Sequence, residues 1–152
     1  MPSHPLLQKR RSRQNHPTMS LTTAERALLV RHQIEKAEST YAQVKVLMRS
    51  GFWDGVANRL YYSAFHAVCA LLIDGEQNIR THHGLNALFN QLYIKAGTIS
   101  REYGQLFSTL QLMRQKSDYN CWYNASEEEI LPMVAPTEEL IELVKQRIGH
   151  TN

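Results

Sequence analysis

The sequence predicts an all-α protein, an antiparallel up-and-down bundle of four to five helices. Three observations carry that prediction. Apolar residues recur at helical spacing, as in Val30, Ile34, Ala37, Tyr41, Val44 and Met48, where steps of four and three alternate. Capping residues and glycines punctuate the periodic stretches at Thr22, Gly51, Thr81, Gly97, Ser100 and Ser126. No strand-like alternation, internal repeat or glycine-rich phosphate loop breaks the pattern. With 152 residues, the chain has the length of one domain.

The first helix opens on "SLTTAER". Thr22 is its expected N-cap, and Glu25, three residues on, completes a capping box. Its single apolar seam places it on the outside of the bundle, and Gly51 is its expected stop. The second helix, from about Trp53 to Ile73, is apolar over most of its circumference and should be central. Its polar departure is a stripe of Arg59, Tyr62 and His66 on one face. "DGEQNIR" reads as a loop. A third helix comes next, capped by Thr81, with Leu85, Leu88, Phe89 and Leu92 inward and Gly97 at its end. Ser100 should cap a fourth helix carrying Tyr103, Leu106, Phe107, Leu110 and Met113. After the loop "NCWYNAS", Ser126 and Glu129 form another capping box. Pro132 and Pro136 should split the last helical region in two, with the second segment starting near Pro136.

Charge is distributed unevenly. Lys9, Arg10, Arg11 and Arg13 fall within the first twenty residues, which contain no acid. Setting these four apart from the 17 basic residues leaves 13 against 14 acidic ones, so the remainder is nearly neutral. Residues 1–20 are expected to form a basic, disordered extension and residues 21–149 the helical bundle. A basic arm can hold nucleic acid non-specifically, although an extension without a role is the simpler expectation. Met19, opening "MSLTTAER", reads as a natural start. No apolar run approaches the roughly 20 residues that cross a membrane, and the N-terminus lacks the apolar core of a secretory signal. Cys69 belongs to an apolar run and Cys121 stands alone, so no disulfide framework or metal motif is expected. A cytoplasmic protein without metal or cofactor is the expectation.

The stretch "LMRQKSDYN" crowds Arg114, Lys116, Asp118 and Tyr119 into six positions. Arg114 lies four residues after Leu110 and seven after Phe107, so it continues the buried stripe of the fourth helix. A buried guanidinium stays charged and needs partners. Asp118, one turn on, would make it an intrahelical ion pair; an incoming phosphate would make it a binding site, for which its forked donors are suited. Tyr119 sits about 140° round an ideal helix from Arg114. The two share a face only if the helix unwinds or a second chain supplies one of them. His82 and His83 begin a helix, where the dipole favours an anion over a protonated imidazole. No Ser/His/Asp triad or metal-binding carboxylate pair can be assembled from the spacing.

The segments "ANRLYYSAFHAVCALLI", "THHGLNALFNQLYIKAG" and "LMRQKSDYN", in that order, resemble the HEPN family (higher eukaryotes and prokaryotes nucleotide-binding domain), especially its small stand-alone prokaryotic members. The resemblance runs from about Thr22 to Ile148. It implies a helical bundle, a homodimer whose clusters meet in a cleft, and a minimal nucleotidyltransferase as partner in a toxin–antitoxin-like pair. Many members are metal-independent ribonucleases whose late helix carries R-x(4–6)-H, with Arg on the scissile phosphate and His moving the proton. Here Arg114 matches the Arg, but the position five residues on is Tyr119, and a tyrosine is a poor base near neutral pH. Arg59 and His66 satisfy the same spacing as text, but the pattern of the earlier helix already accounts for them. In some relatives the partner places AMP on a tyrosine near the signature, a role for which Tyr119 is the candidate.

The resemblance and the residues lead to one reading with two alternatives. The chain is expected to bind RNA or nucleotide phosphates, with Arg114, Lys116, Asp118, Arg59, Tyr62, His66 and His82 lining the cleft. Alternatively it is a metal-independent endoribonuclease using Arg114, with Tyr119 or a histidine supplied by another helix moving the proton, or a non-catalytic helical adaptor.

Overall fold

The computed structural model describes residues 20–79 and 81–149. Apart from Ser20, the basic N-terminal extension lies outside the described residues. These are helical almost throughout and contain no strand. The elements are α1 (Thr23–Arg49), α2 (Trp53–Asp74), α3 (His82–Phe89), α4 (Arg101–Tyr119), the single turn α5 (Glu127–Ile130) and α6 (Val134–Gly149).

The capping box of α1 is complete. Thr22 Oγ1 accepts from the Glu25 amide at 3.1 Å, and Glu25 accepts from the Thr22 amide at 3.2 Å. Val30, Ala37, Tyr41 and Val44 bury the seam, with Ile34 and Met48 packed at its edge. Gly51 ends the connection with a φ of 72°, a value that costs a glycine nothing. Helix α2 packs against α1, α4 and α6, and its residues from Val56 to Leu72 supply much of the core. Its length and composition would also allow it to cross a membrane, which corrects the expectation that no segment reaches that size. Most of that apolar surface is already enclosed by the neighbouring helices.

The third helical segment departs from regular geometry. After Phe89 the chain makes a π-helical turn over Asn90–Ile94, closed by the Lys95 amide on the Asn90 carbonyl at 2.8 Å. Asn90 Nδ2 also donates to the Asn86 carbonyl and to Asn86 Oδ1, at 2.9 and 2.8 Å. The wider turn rotates its own residues out of α-helical register, so Leu92, expected inward, is exposed. Helix α4 approaches this turn at Gly104, where a Cβ would lie 2.9 Å from Asn90 Oδ1. Ser100 occupies the N-cap position of α4, but its side chain makes no capping bond. Ser126 does cap, accepting from the Glu129 amide at 3.3 Å. The prolines split the last region as expected: α5 passes through a 3₁₀ turn (Leu131–Met133) into α6, which begins two residues before Pro136.

One histidine is used by the fold. His66 Nδ1 lies 2.8 Å from Gln33 Oε1, joining α2 to α1. Burial lowers its pKa to about 4, and the positive charges of Lys36 and Arg59, with His32 and His82, act in the same direction.

Both the core and this histidine can be tested by unfolding. Phe107 is fully buried, stacked 5.9 Å from Tyr61 and edge-on to Phe89. Phe107→Ala should destabilise the protein by about 3–5 kcal/mol in urea titrations, whereas Thr22→Ala should cost only about 1 kcal/mol. For His66, the unfolded chain protonates near the ordinary pKa of about 6.5 and the folded chain only near 4. Its contribution is therefore complete above the unfolded pKa and lost as the pH falls towards the folded one. The urea midpoint should drop between neutral and mildly acidic pH, and His66→Leu should flatten that drop.

Candidate phosphate-binding site

The site forms where α4, α2 and the start of α3 meet. As its position in the buried stripe requires, Arg114 points inward, its side chain 16% exposed. The guanidinium carbon lies 5.0 Å from the Tyr61 ring centre and 5.5 Å from that of Tyr62. Such aromatic faces stabilise a cation by about 0.5–2 kcal/mol each. Nη1 donates to Tyr62 Oη at 3.1 Å and to Asp118 Oδ2 at 3.3 Å. Nε is buried and has no hydrogen-bond partner, and no bond to Nη2 is formed among the described residues. One helical turn on, the Ser117 hydroxyl is likewise buried and unpartnered.

The ion pair expected of Arg114 forms, and it leaves other donors of the guanidinium open. Asp118 takes one edge of the guanidinium, but its side chain is 37% exposed, so water screens the pair to about 0–1 kcal/mol. Most of the donor capacity of Arg114 remains unspent.

Aromatic rings wall the guanidinium. Tyr61 and Tyr62 are consecutive on α2, with their rings edge to face at 5.1 Å. Phe65, one turn on, stacks against the His82 ring at 4.4 Å. His82 is set by the first turn of α3, whose cap is Thr81 Oγ1 accepting from the Gly84 amide at 2.9 Å. Its Nδ1 lies 2.8 Å from the Tyr61 hydroxyl. Burial pushes the Tyr61 phenol up to about 12 against the opposing pull of Arg114. Burial also lowers the His82 pKa, and Arg114 lowers it further.

The remaining candidates disperse around this centre. Arg59 lies 5.5 Å over the other ring of the pair, Tyr62, but its donors go to Asn58 Oδ1, at 3.0 and 2.6 Å, and to Gln43. His66 faces Gln33 on α1. Lys116 turns to the other side of α4, 5.9 Å over Tyr123. Helix α4 stays regular through Tyr119, so within one chain that residue does not reach the face of Arg114; it is 81% exposed. Tyr61 and Phe65 belong to the apolar circumference of α2 and read from sequence as ordinary core residues. The available signal was the doubled tyrosine, because a buried phenol must place its hydroxyl on a polar partner.

Comparison with known proteins agrees with the segments that suggested a family. The UPF0332 protein of Thermotoga maritima is 23% identical over 82% of this chain and 94% of its own length. Two Methanocaldococcus jannaschii proteins, whose names propose a toxin role for them, are 33% and 27% identical. The first match covers 63% of this chain and 65% of that protein, the second 76% and 85%. The sequence model of the HEPN domain matches residues 30–147, which takes in α2, α3, α4 and α5, the larger part of α1 and nearly all of α6. The chain belongs to the HEPN domain family.

Proposed function

We propose that this protein binds the phosphates of RNA or of nucleotides at the Arg114 cleft. It does so as a cytoplasmic homodimer, one half of a toxin–antitoxin-like pair with a minimal nucleotidyltransferase. The observation that carries the reading is the state of Arg114: a desolvated cation between two tyrosine faces, with one screened carboxylate and a buried Nε that bonds to nothing. A guanidinium in that state gains from a phosphate, whose oxygens match its forked donors. Family membership and the toxin names of two relatives support the biological setting. Leu112 and Tyr119, two turns apart on one face of α4 and exposed by 51% and 81%, offer a surface suited to a second copy.

A metal-independent ribonuclease is the second reading. It is favoured by His82, a histidine from another helix standing in the Arg114 cluster. Tyr119, on the outer side of α4, supplies no proton relay to Arg114 within one chain.

Titration of a short single-stranded oligoribonucleotide and of ADP in EDTA tests the leading reading, with cleavage products monitored in parallel. Arg114→Ala should weaken binding by about tenfold or more, the loss expected for a charged hydrogen bond. Its melting temperature establishes that the variant is folded. Equal binding by wild type and Arg114→Ala would remove Arg114 from the site. Cleavage by wild type alone would establish the ribonuclease.

A further inference from the structure

The Tyr61–His82 contact fixes which nitrogen of His82 carries its proton. Tyr61 is fully buried, and its hydroxyl lies 2.8 Å from His82 Nδ1. No other hydrogen-bond partner reaches that hydroxyl among the described residues. The neighbouring phenol, Tyr62, already accepts from Arg114. A buried hydroxyl left without an acceptor is costly, so Tyr61 donates and Nδ1 accepts. Because the phenol is pushed up to about 12, it keeps the hydrogen it donates at any ordinary pH. A neutral imidazole has one donor and one acceptor nitrogen. With Nδ1 accepting, the proton of neutral His82 sits on Nε2, which forms no hydrogen bond among the described residues.

We propose that His82, held by Tyr61 in the tautomer with its proton on Nε2, is a second phosphate-binding donor beside Arg114, and that the two grip one phosphate group. The proposal rests on the Arg114 reading and adds a residue and a chemical role to it. Both groups are anchored on the same ring: the Arg114 guanidinium is 5.0 Å from the Tyr61 centre, and the His82 ring is 6.0 Å from it and nearly parallel. Phe65, stacked at 4.4 Å, fixes the plane of the imidazole, so its donor direction is set before a ligand arrives. In this tautomer neutral His82 has no free lone pair with which to take the proton of a 2′-hydroxyl. Towards a phosphodiester His82 is therefore a donor and not the base.

The charged and titratable groups around His82 include Tyr61, Tyr62 and His66 on α2, Arg114 with its partner Asp118 on α4, and the adjacent His83 on α3. Arg114 lowers its pKa, and a bound phosphate opposes that effect. Phosphate binding should therefore raise the His82 pKa, and by linkage the affinity should increase as the pH falls through the range in which His82 protonates.

The test uses the full chain and three probes: inorganic pyrophosphate for the shared chemistry, and a short single-stranded oligoribonucleotide and ADP to tell its two sources apart. Nitrogen-resolved NMR of the imidazoles at neutral pH should show His82 protonated at Nε2 alone, with that resonance moving on addition of the probe that binds. His82→Ala should weaken binding about tenfold. His82→Gln, whose amide places a donor near the position of Nε2, should recover most of the loss. A proton on Nδ1, affinity unchanged in His82→Ala, or RNA cleavage that depends on His82 would each overturn the proposal. Binding that requires Arg114 but not His82 would overturn it while leaving the Arg114 reading intact. No binding of any probe by wild type would overturn both.

Discussion

Tyr61 is the residue on which core and site both depend. Its ring stacks on Phe107 at 5.9 Å and presents a face to Arg114, while its hydroxyl reaches His82. Helices α2, α3 and α4 thus meet at one side chain. A phenol suits that place because its body is apolar and its tip is polar, so it can be fully buried and still hold a histidine. Phenylalanine would fill the same volume but leave the imidazole without a partner on Nδ1. Alanine would remove the floor under the guanidinium.

The energetics of Arg114 derive from that arrangement. A fully buried, unpaired guanidinium would cost more than a small domain can absorb. Here the cost is divided among two tyrosine faces, one phenolic oxygen and one carboxylate at the solvent edge. None of these neutralises it fully, and that remainder is the basis of the proposed anion site. Asp118 has a double effect. It stabilises the cation, and at the proposed site it would compete with an entering anion.

How much of this was legible in the sequence depends on range. Helix positions, the Thr22 box and the inward direction of Arg114 are set by spacing within a few turns of one helix, and the sequence alone placed them correctly. The π turn at Asn90 was not visible, because it depends on two asparagine side chains and on the close approach of α4 at Gly104. The exposure of Leu92 is the consequence. Ser100 has the residue type of a cap but makes no capping bond, since residue type sets a preference and not a geometry. The role of Tyr61 was hidden for another reason. Apolar periodicity counts a tyrosine as core and says nothing about its hydroxyl, whose partner lies 21 residues away on another helix.

The π turn also bears on how such chains can be compared. A π turn accommodates one residue more than an α turn at nearly the same rise. Within Asn90–Ile94 the chain therefore carries, in effect, a single-residue insertion that is absorbed without a loop. A relative with a regular helix there would be one residue out of step beyond it, although its flanking helices would superpose. Matching the two without a gap would pair inward positions with outward ones from Leu92 to the start of α4. Divergence counted across that stretch would then reflect a change of helical winding, not a change in what the residues do.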